Sequence, residues 1–386
     1  MTDRRDDLPG PSPQPRHGTR RRAWWPWILI PAFAAVGVGA GFIGAAIASP
    51  NSTAGSATVN AATGNAAGNS TTACQVTSVA DDVLPSVVTI SASGQAGAGT
   101  GSGEVIRTDG YILTNNHVIS PAAADGGSVQ VTFSSGTTVP ATIVGRDVLT
   151  DLAVLKVNPP KDLKAIALGT SDSLRVGQPV VALGAPLGLS GTVTSGIVSA
   201  LDRTVEVPAE NDKSALLVSA VQTDAAINPG NSGGALVNCS GDLVGIPSAG
   251  ATVPSSTGEP SAGGSIGLGF AIPVDLAKTI ADELISTGRV THSFFGLQAL
   301  PIPESAAAEA GVSEGLFVVG VVADGPAAKA GLRQGDVITK VDGNPATTTV
   351  QLQELTLTKS PGDKVTIDYV RNGKAASTTV TLGTQA

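Results

Sequence analysis

The segment of this 386-residue chain with the most chemistry in it is Gly230-Asn231-Ser232-Gly233-Gly234. A serine hydroxyl is a poor nucleophile until a base takes its proton and N–H donors stabilise the oxyanion that its attack creates. Flanking glycines let the backbone approach a reacting carbonyl with no Cβ in the way. The chemistry that fits is acyl transfer, with Ser232 as nucleophile and Gly230-Asn231-Ser232 as the oxyanion hole, through the amides of Gly230 and Ser232. The base must come from three histidines, His17, His117 and His292. His17 lies in an arginine-rich tail and His292 falls beyond a domain boundary placed below. That leaves His117, in Tyr111-Ile112-Leu113-Thr114-Asn115-Asn116-His117-Val118, where a strand runs into a loop.

An acid that orients the imidazole belongs between His117 and Ser232 if the chain order is His, Asp, Ser. Asp125, Asp147, Asp151, Asp162, Asp172, Asp202, Asp212 and Asp224 all lie there. Asp151 heads the strand Leu152–Val157 and is favoured by position; Asp147, one short turn earlier, is second. The pattern G-x-S-x-G also matches the nucleophile elbow of α/β-hydrolases, which needs a helix after the serine and an acid and a histidine after that. Here Ala235-Leu236-Val237 and Leu243-Val244-Gly245-Ile246 read as strands, and the only downstream histidine is His292. The elbow fails on context.

The elements that must position these residues are short runs of Val, Ile and Leu between turn signals. They are Ser86–Ser91, Gly103–Ile106, Tyr111–Thr114, Val129–Phe133, Leu152–Val157, Val180–Leu183 and Leu236–Gly245, a pattern of barrels or a sandwich. A helix is predicted over Leu276–Thr287, with Asp275 as N-cap and Gly288 as stop, and a domain boundary follows it. Beyond lie strands Phe317–Val322 and Val337–Val341, a helix Thr348–Thr358, and a hairpin of Val365–Val370 with Ser377–Leu382 turned by Asn372-Gly373. With 3% aromatics and 48 glycines, the cores must be built from Val, Ala, Ile and Leu, and the composition leans all-β. A net charge of −8 argues against a nucleic-acid partner. Three histidines, two cysteines and no His-Glu-x-x-His leave no basis for a metal centre, and no cofactor is expected.

Residues 1–22 hold six arginines, and no charge follows from Ala23 until Asp81. Trp27–Ala48 is apolar or Gly for 22 residues. As a helix this would span about 33 Å, against a hydrocarbon core of about 30 Å. Trp24, Trp25 and Trp27 stand at its start, and the arginines before it place the N-terminus in the cytoplasm and the body outside. Ala46-Ile47-Ala48 resembles a signal-peptidase site, but the apolar run is longer than a cleaved signal uses, so an uncleaved single-pass anchor in the plasma membrane is the favoured reading. Residues 49–73 have no charge and almost no apolar side chain large enough to pack, and read as a flexible tether. Cys74 and Cys239 are expected to pair in an oxidising compartment.

Three separated blocks resemble the HtrA/Deg family of trypsin-like serine proteases: Thr114-Asn115-Asn116-His117-Val118, Thr150-Asp151-Leu152-Ala153-Val154-Leu155, and the run from Gln222 to Leu236 that contains Asp224-Ala225-Ala226-Ile227-Asn228-Pro229-Gly230-Asn231-Ser232. Gly269-Phe270-Ala271-Ile272-Pro273 joins them. The resemblance implies an all-β dominated, chymotrypsin-like double barrel over 74–289, with the triad His117, Asp151 and Ser232 in its cleft. That settles Asp151 over Asp147. Phe294-Phe295-Gly296-Leu297 resembles the carboxylate-binding loop of a PDZ domain, and Gly325–Leu332 with Gly335-Asp336-Val337-Ile338 resembles its interior, over 290–386. With a cytoplasmic tail over 1–22, a transmembrane helix over 23–48 and a linker over 49–73, the whole chain is accounted for.

The family implies a homotrimer, a membrane-tethered endopeptidase acting on unfolded or mislocalised envelope proteins in stress-related quality control, and capture of C-terminal peptides by the PDZ domain. The rival function is a catalytically silent PDZ adaptor or chaperone on a protease scaffold. The substrate pocket is expected around Ala226, Ile227, Pro247, Ser248, Ala249 and Gly250, taking a small or medium aliphatic residue. Pro247 is expected to accept from substrate at the strand edge, and Gly250 to enlarge the pocket. Two polar stretches, Glu206–Lys213 and Ala251–Ser265, are predicted to be mobile loops that order the oxyanion hole in response to PDZ occupancy or trimer contacts. His292 is read as structural.

Overall fold

Successive side chains of a β-strand point to opposite faces, so a strand that is apolar at nearly every position must bury both. Leu152-Ala153-Val154-Leu155-Lys156-Val157 is such a run. The computed structural model describes residues 74–385 apart from 186–190, 211–213 and 253–263. In it this run is the last of six antiparallel strands that close a barrel: β1 (Val87–Gly94), β2 (Gly97–Arg107), β3 (Tyr111–Thr114), β4 (Ser128–Thr132), β5 (Thr138–Asp147) and β6 (Leu152–Val157), ordered β1-β2-β3-β6-β5-β4. Ala153, Leu155 and Val157 fill this barrel with Ile90, Ile112 and Val131. Leu152 and Val154 face the other way, into a cluster shared with a second barrel.

The second barrel comprises β7 (Pro179–Gly184), β8 (Thr192–Pro208), β9 (Ser214–Thr223), β10 (Ala235–Val237), β11 (Leu243–Thr252) and β12 (Ser265–Pro273), closed in the order β10-β11-β12-β9-β8-β7. Its strands divide in the same way. Val180 and Ala182 face the interior, and Val181 and Leu183 face the shared cluster. Among the described residues that seam holds 24 buried side chains, against 14 and 10 in the barrel interiors, so it is the principal core. Helix α1 (Val76–Val83) adds Val79 and Val83 to it. Cys74, just before α1, is bonded to Cys239 with the Cα atoms 5.1 Å apart. The bridge closes a loop of 165 residues, a constraint worth up to about 5 kcal/mol by loop-closure entropy. A short helix α2 (Asn116–Ile119) follows β3, and helix α3 (Val274–Thr287) lays the stripe Ala277, Ile280, Ala281 and Leu284 on the seam.

After α3 the chain forms a separate core. Strands β13 (Ser293–Phe294), β14 (Leu297–Pro301), β15 (Leu316–Val321), β16 (Val337–Val341), β17 (Asn344–Pro345), β18 (Lys364–Arg371), β19 (Lys374–Thr381) and β20 (Gly383–Thr384) are joined by helices α4 (Glu304–Ala310), α5 (Pro326–Lys329) and α6 (Thr349–Thr358). β14, β15, β16, β18 and β19 lie side by side in that order. Asn372 and Gly373 both have positive φ, the two-residue turn that an Asn-Gly pair favours. Thr348 and Gln351 form a reciprocal capping box that starts α6.

The strands read within and around Leu236–Gly245 are β10 and β11, separated where Asn238 Oδ1 accepts from the amides of Ser240 and Asp242 and turns the chain. Three expectations are corrected. Helix α3 begins at Val274 with Pro273 at its cap. Asp275 therefore sits inside the first turn, and its carboxylate accepts from Thr170, Ser171 and Asp172 of a neighbouring loop. Burial would raise its pKa, but those hydrogen bonds together hold it below the usual aspartate value. The ends of the two polar stretches, Glu206–Pro208 and Ala251–Thr252, belong to β8 and β11. His117 lies in a helical turn, not a loop. The expectations for residues 1–73 and for the middles of the two stretches fall outside the described residues; among the described residues no helix is long and apolar enough to cross a membrane.

The seam also holds a carboxyl. Glu104 on β2 is fully buried, and its cross-strand neighbours Val87 and Leu113 both belong to the seam cluster. Neither carboxyl oxygen has a hydrogen-bond partner among the described residues. Burial pushes its pKa well above the usual glutamate value of 4.5, so the group folds as a neutral acid. Its contribution to stability is complete below the unfolded-state pKa and is lost as pH rises toward the folded one, at about 1.4 kcal/mol per pH unit. Glu104→Gln is therefore expected to melt close to wild type near pH 4 and several degrees above it near pH 8. Parallel melting curves across that range would refute this.

Candidate active site

The turn between β5 and β6 and the helical turn α2 are laced together around Asp151, a residue held at φ +57. Its backbone carbonyl accepts from Asn115 Nδ2 at 2.9 Å and from the Asn116 amide at 3.1 Å. Its carboxylate accepts from the His117 amide at 3.0 Å, from His117 Nδ1 at 2.8 Å and from Ser248 Oγ at 2.6 Å. The side chain of Asp151 is 4% exposed, while that of His117 is 39% exposed. A carboxylate only accepts, so the imidazole hydrogen sits on Nδ1 and the lone pair on Nε2, on the solvent side of the ring. Behind them Arg146 pairs with Glu210 at 2.7 Å and donates to Asn116 Oδ1 at 3.2 Å, bracing the residue before His117.

Ser232 comes from the other barrel. The Asn231 amide donates to Asn228 O at 2.9 Å, closing a four-residue turn with Pro229 second and Gly230 third. Gly230 has φ +100, and proline excludes a positive φ at the second position, so the turn is type II and requires glycine third. This bond commits the Asn231 amide to the turn. The amides of Gly230 and Ser232 have no acceptor among the described residues, and two such N–H groups beside a serine hydroxyl are what a developing oxyanion needs. Ser232 Oγ lies 3.4 Å from Ser248 O, and His117 Nε2 has no hydrogen-bond partner among the described residues. The Ser–His contact is thus open in the free protein, as such contacts often are before substrate closes them.

The residues expected to line the pocket lie around the nucleophile loop. The carbonyl of Pro247 accepts from the Gly233 amide at 2.9 Å and so braces that loop. A Cβ on Gly250 would lie 2.8 Å from Ile227 O, and one on Gly269 would lie 2.5 Å from Ile227 Cγ1. Ile227, 4% exposed, fills the space that glycine at 250 was expected to open. Ala226 O accepts from Thr194 Oγ1 and Asn231 Nδ2. Ala249 pairs with Phe270 across β11 and β12. Ser248, read from sequence only as pocket lining, is also the third donor to Asp151; nothing local distinguishes it, because its partner lies 97 residues away.

A second cleft lies in the core that follows α3. Phe294, Phe295, Gly296 and Leu297 form one end of a groove of about 580 Å³ that runs between β14 and α6, with Leu352, Gln353 and Thr356 on the helix side. Phe295 is buried in the core, and Gly296 has φ +72. The carbonyls of Phe295 and Gly296 are taken by the Ala327 and Val322 amides. Just before the loop, His292 is 8% exposed and its Nε2 is 2.9 Å from Asp147 Oδ2, so the second-choice acid is a partner of the histidine that was read as structural.

Residues 101–246 match the trypsin-like peptidase domain family and residues 295–382 the PDZ domain family. The serine protease PepD of Mycobacterium tuberculosis is 46% identical over 314 residues, 80% of this chain and 66% of that protein. The "probable periplasmic serine endoprotease DegP-like" of Brucella suis is 42% identical over 285 residues, 73% of this chain and 52% of that protein. The chain thus spans between about half and two thirds of the length of these curated relatives. Among solved structures, the HtrA-type protease AlgW with a decapeptide superposes with a TM-score of 0.63 at 33% identity, covering 81% of this chain and 99% of that one. With two closed barrels, a histidine–aspartate pair opposite a glycine-flanked serine, and a solved relative covered from end to end, the chain belongs to the HtrA family of trypsin-like serine proteases.

Proposed function

We propose that the protein is a serine endopeptidase with His117, Asp151 and Ser232 as its catalytic triad. The observation that carries this reading is the Asp151 carboxylate on His117 Nδ1 at 2.8 Å, which leaves Nε2 free to act as a base. In the cycle Nε2 takes the Ser232 proton as Oγ attacks a peptide carbonyl, and Asp151 holds the tautomer and stabilises the imidazolium. The carbonyl oxygen becomes an oxyanion facing the Gly230 and Ser232 amides, and His117 returns the proton to the leaving amine. Water then repeats the sequence on the acyl-enzyme. The rival reading, a silent adaptor on a protease scaffold, is disfavoured by the committed tautomer and by two donors without acceptors among the described residues. Ser232→Ala should abolish casein digestion and labelling by a fluorophosphonate. A wild type that neither digests nor labels would favour the adaptor.

The domains are assigned as peptidase 74–289 and PDZ 290–386, the latter taking C-terminal peptides by strand addition to β14 with the carboxylate at the Phe294–Leu297 loop. Solved relatives with a decapeptide and a tripeptide support a peptide ligand for the family. Residues 23–48 anchor the chain, residues 1–22 stay cytoplasmic, and the body works outside the membrane as a trimer on unfolded envelope proteins; the periplasmic naming of relatives supports the compartment. The expected residue at the cleavage site remains a small or medium aliphatic, bounded by Ile227.

PDZ occupancy has a short physical route to the triad. His292, two residues before the groove loop, binds Asp147, which also accepts from Thr150 Oγ1 at 2.5 Å, and Thr150 precedes Asp151. Leu357 of α6 packs on Leu216 and Val218 of β9 beside it. His292→Ala is expected to reduce the response of peptide hydrolysis to an added C-terminal peptide by threefold or more, with the unstimulated rate changing less; an unaltered response would remove this route. Ser248→Ala removes one of the donors to the Asp151 carboxylate and should slow acylation of Ser232 by roughly 10–100-fold at an unchanged fold, since hydrogen bonds to charged groups contribute about 1.5–3 kcal/mol. Equal labelling rates would mean that this bond does not orient the pair.

A further inference from the structure

Ser102 is the middle residue of Gly101-Ser102-Gly103 on β2 and is fully buried. Its hydroxyl lies 2.8 Å from the Ala185 amide nitrogen and 2.6 Å from the Gly230 carbonyl oxygen. An amide can only donate, so Ala185 N–H takes a lone pair of the hydroxyl, and the single hydroxyl hydrogen goes to Gly230 O. The backbone of Ser102 is used as fully. Its amide donates to Ser232 O at 2.9 Å, and its carbonyl accepts from Thr114 Oγ1 at 2.7 Å. One residue of the first barrel therefore holds the carbonyls of Gly230 and Ser232, whose amides are the two hole donors, and also grips Thr114, three residues before His117.

The barrels meet here at backbone contact. A Cβ on Gly101 would lie 2.6 Å from Val118 Cγ2 and 3.0 Å from Ser232 O, and one on Gly234 would lie 3.2 Å from Ser102 Cβ. Among these glycines Ser102 supplies a side chain, and its hydroxyl spans from one segment of the second barrel to another. Without it the Gly230–Ser232 loop would keep its internal turn but lose its side-chain tie to the barrel that carries the base. A misplacement of about 1 Å between catalytic groups can cost about a hundredfold in rate.

We propose that Ser102 is a positioning residue for acyl transfer: by joining the Ala185 amide to the Gly230 carbonyl it sets how the oxyanion-hole loop seats against the His117 barrel. This rests on the assignment of Ser232 as nucleophile. Thr89 provides the control, because it lies opposite Ser102 on β1 and its buried Oγ1 donates to Ala185 O at 2.9 Å, touching neither Gly230 nor Ser232. The experiment compares wild type, Ser102→Ala, Ser102→Cys and Thr89→Val on a chromogenic peptide, with rates normalised to end-point fluorophosphonate titration so that only folded sites count.

Ser102→Ala should lower kcat by roughly 10–100-fold with KM within about threefold. It should weaken a peptide aldehyde, whose adduct places an oxyanion in the hole, by a similar factor. Ser102→Cys should recover part of both losses, and Thr89→Val should lose thermal stability yet keep kcat within about threefold. Equal kcat for Ser102→Ala and Thr89→Val, or a loss that falls on KM alone, would overturn the inference. If wild type neither hydrolyses peptide nor takes the probe, the nucleophile assignment falls, and the role of Ser102 falls with it.

Discussion

An imidazole on one barrel can reach a hydroxyl on another only if the two barrels are held at a constant separation, and here an apolar seam does that. The pleat of β1, β3, β6, β7 and β10 sends alternate side chains inward and outward, and the outward set of both barrels buries against itself with α1 and α3. Apolar burial stabilises without direction, at about 25 cal/mol per Å², so the seam fixes proximity but not orientation. Orientation comes from hydrogen bonds at its edge. Ser102 and the Asp151 carboxylate each tie a first-barrel strand or turn to a second-barrel loop or strand.

Two carboxyl groups near this seam show how environment assigns roles. Asp151 sits at the edge, where His117 contributes two N–H groups and Ser248 a hydroxyl, so its charge is spent on holding a ring. Glu104 sits beside Val87 and Leu113 with no side-chain partner among the described residues, and burial pushes its pKa well up, so that it stabilises the barrels less as pH rises. The same side-chain chemistry is a working part in one place and a proton-linked weakness in the other. The difference is the supply of donors.

The PDZ core is joined to this arrangement through the turn that ends in Asp151. Asp147 and Asp151 are both candidates by position for the orienting acid, and both bind a histidine, one in each domain. Three residues lie between Asp147 and Asp151, and the Leu149 amide and Thr150 Oγ1 both donate to the Asp147 carboxylate within that turn.

Much of this was legible in the chain itself. Alternating and continuous apolar runs predict the strands, Asn372-Gly373 predicts its hairpin turn, and the scarcity of histidine leaves one base for one glycine-flanked serine. These are local signals, because propensity and pleat act over a few residues. Position alone favoured Asp151 without excluding Asp147, and the blocks shared with a known family made that choice. Tertiary structure decided the rest. Ile227 closes the space beside Gly250, Pro247 O serves Gly233, the Asn231 amide closes its own turn, and Ser248 and Ser102 reach partners 97 and 128 residues away. A hydrogen bond depends on angstroms between atoms, and spacing along a chain carries no such distance until the barrels have closed and met.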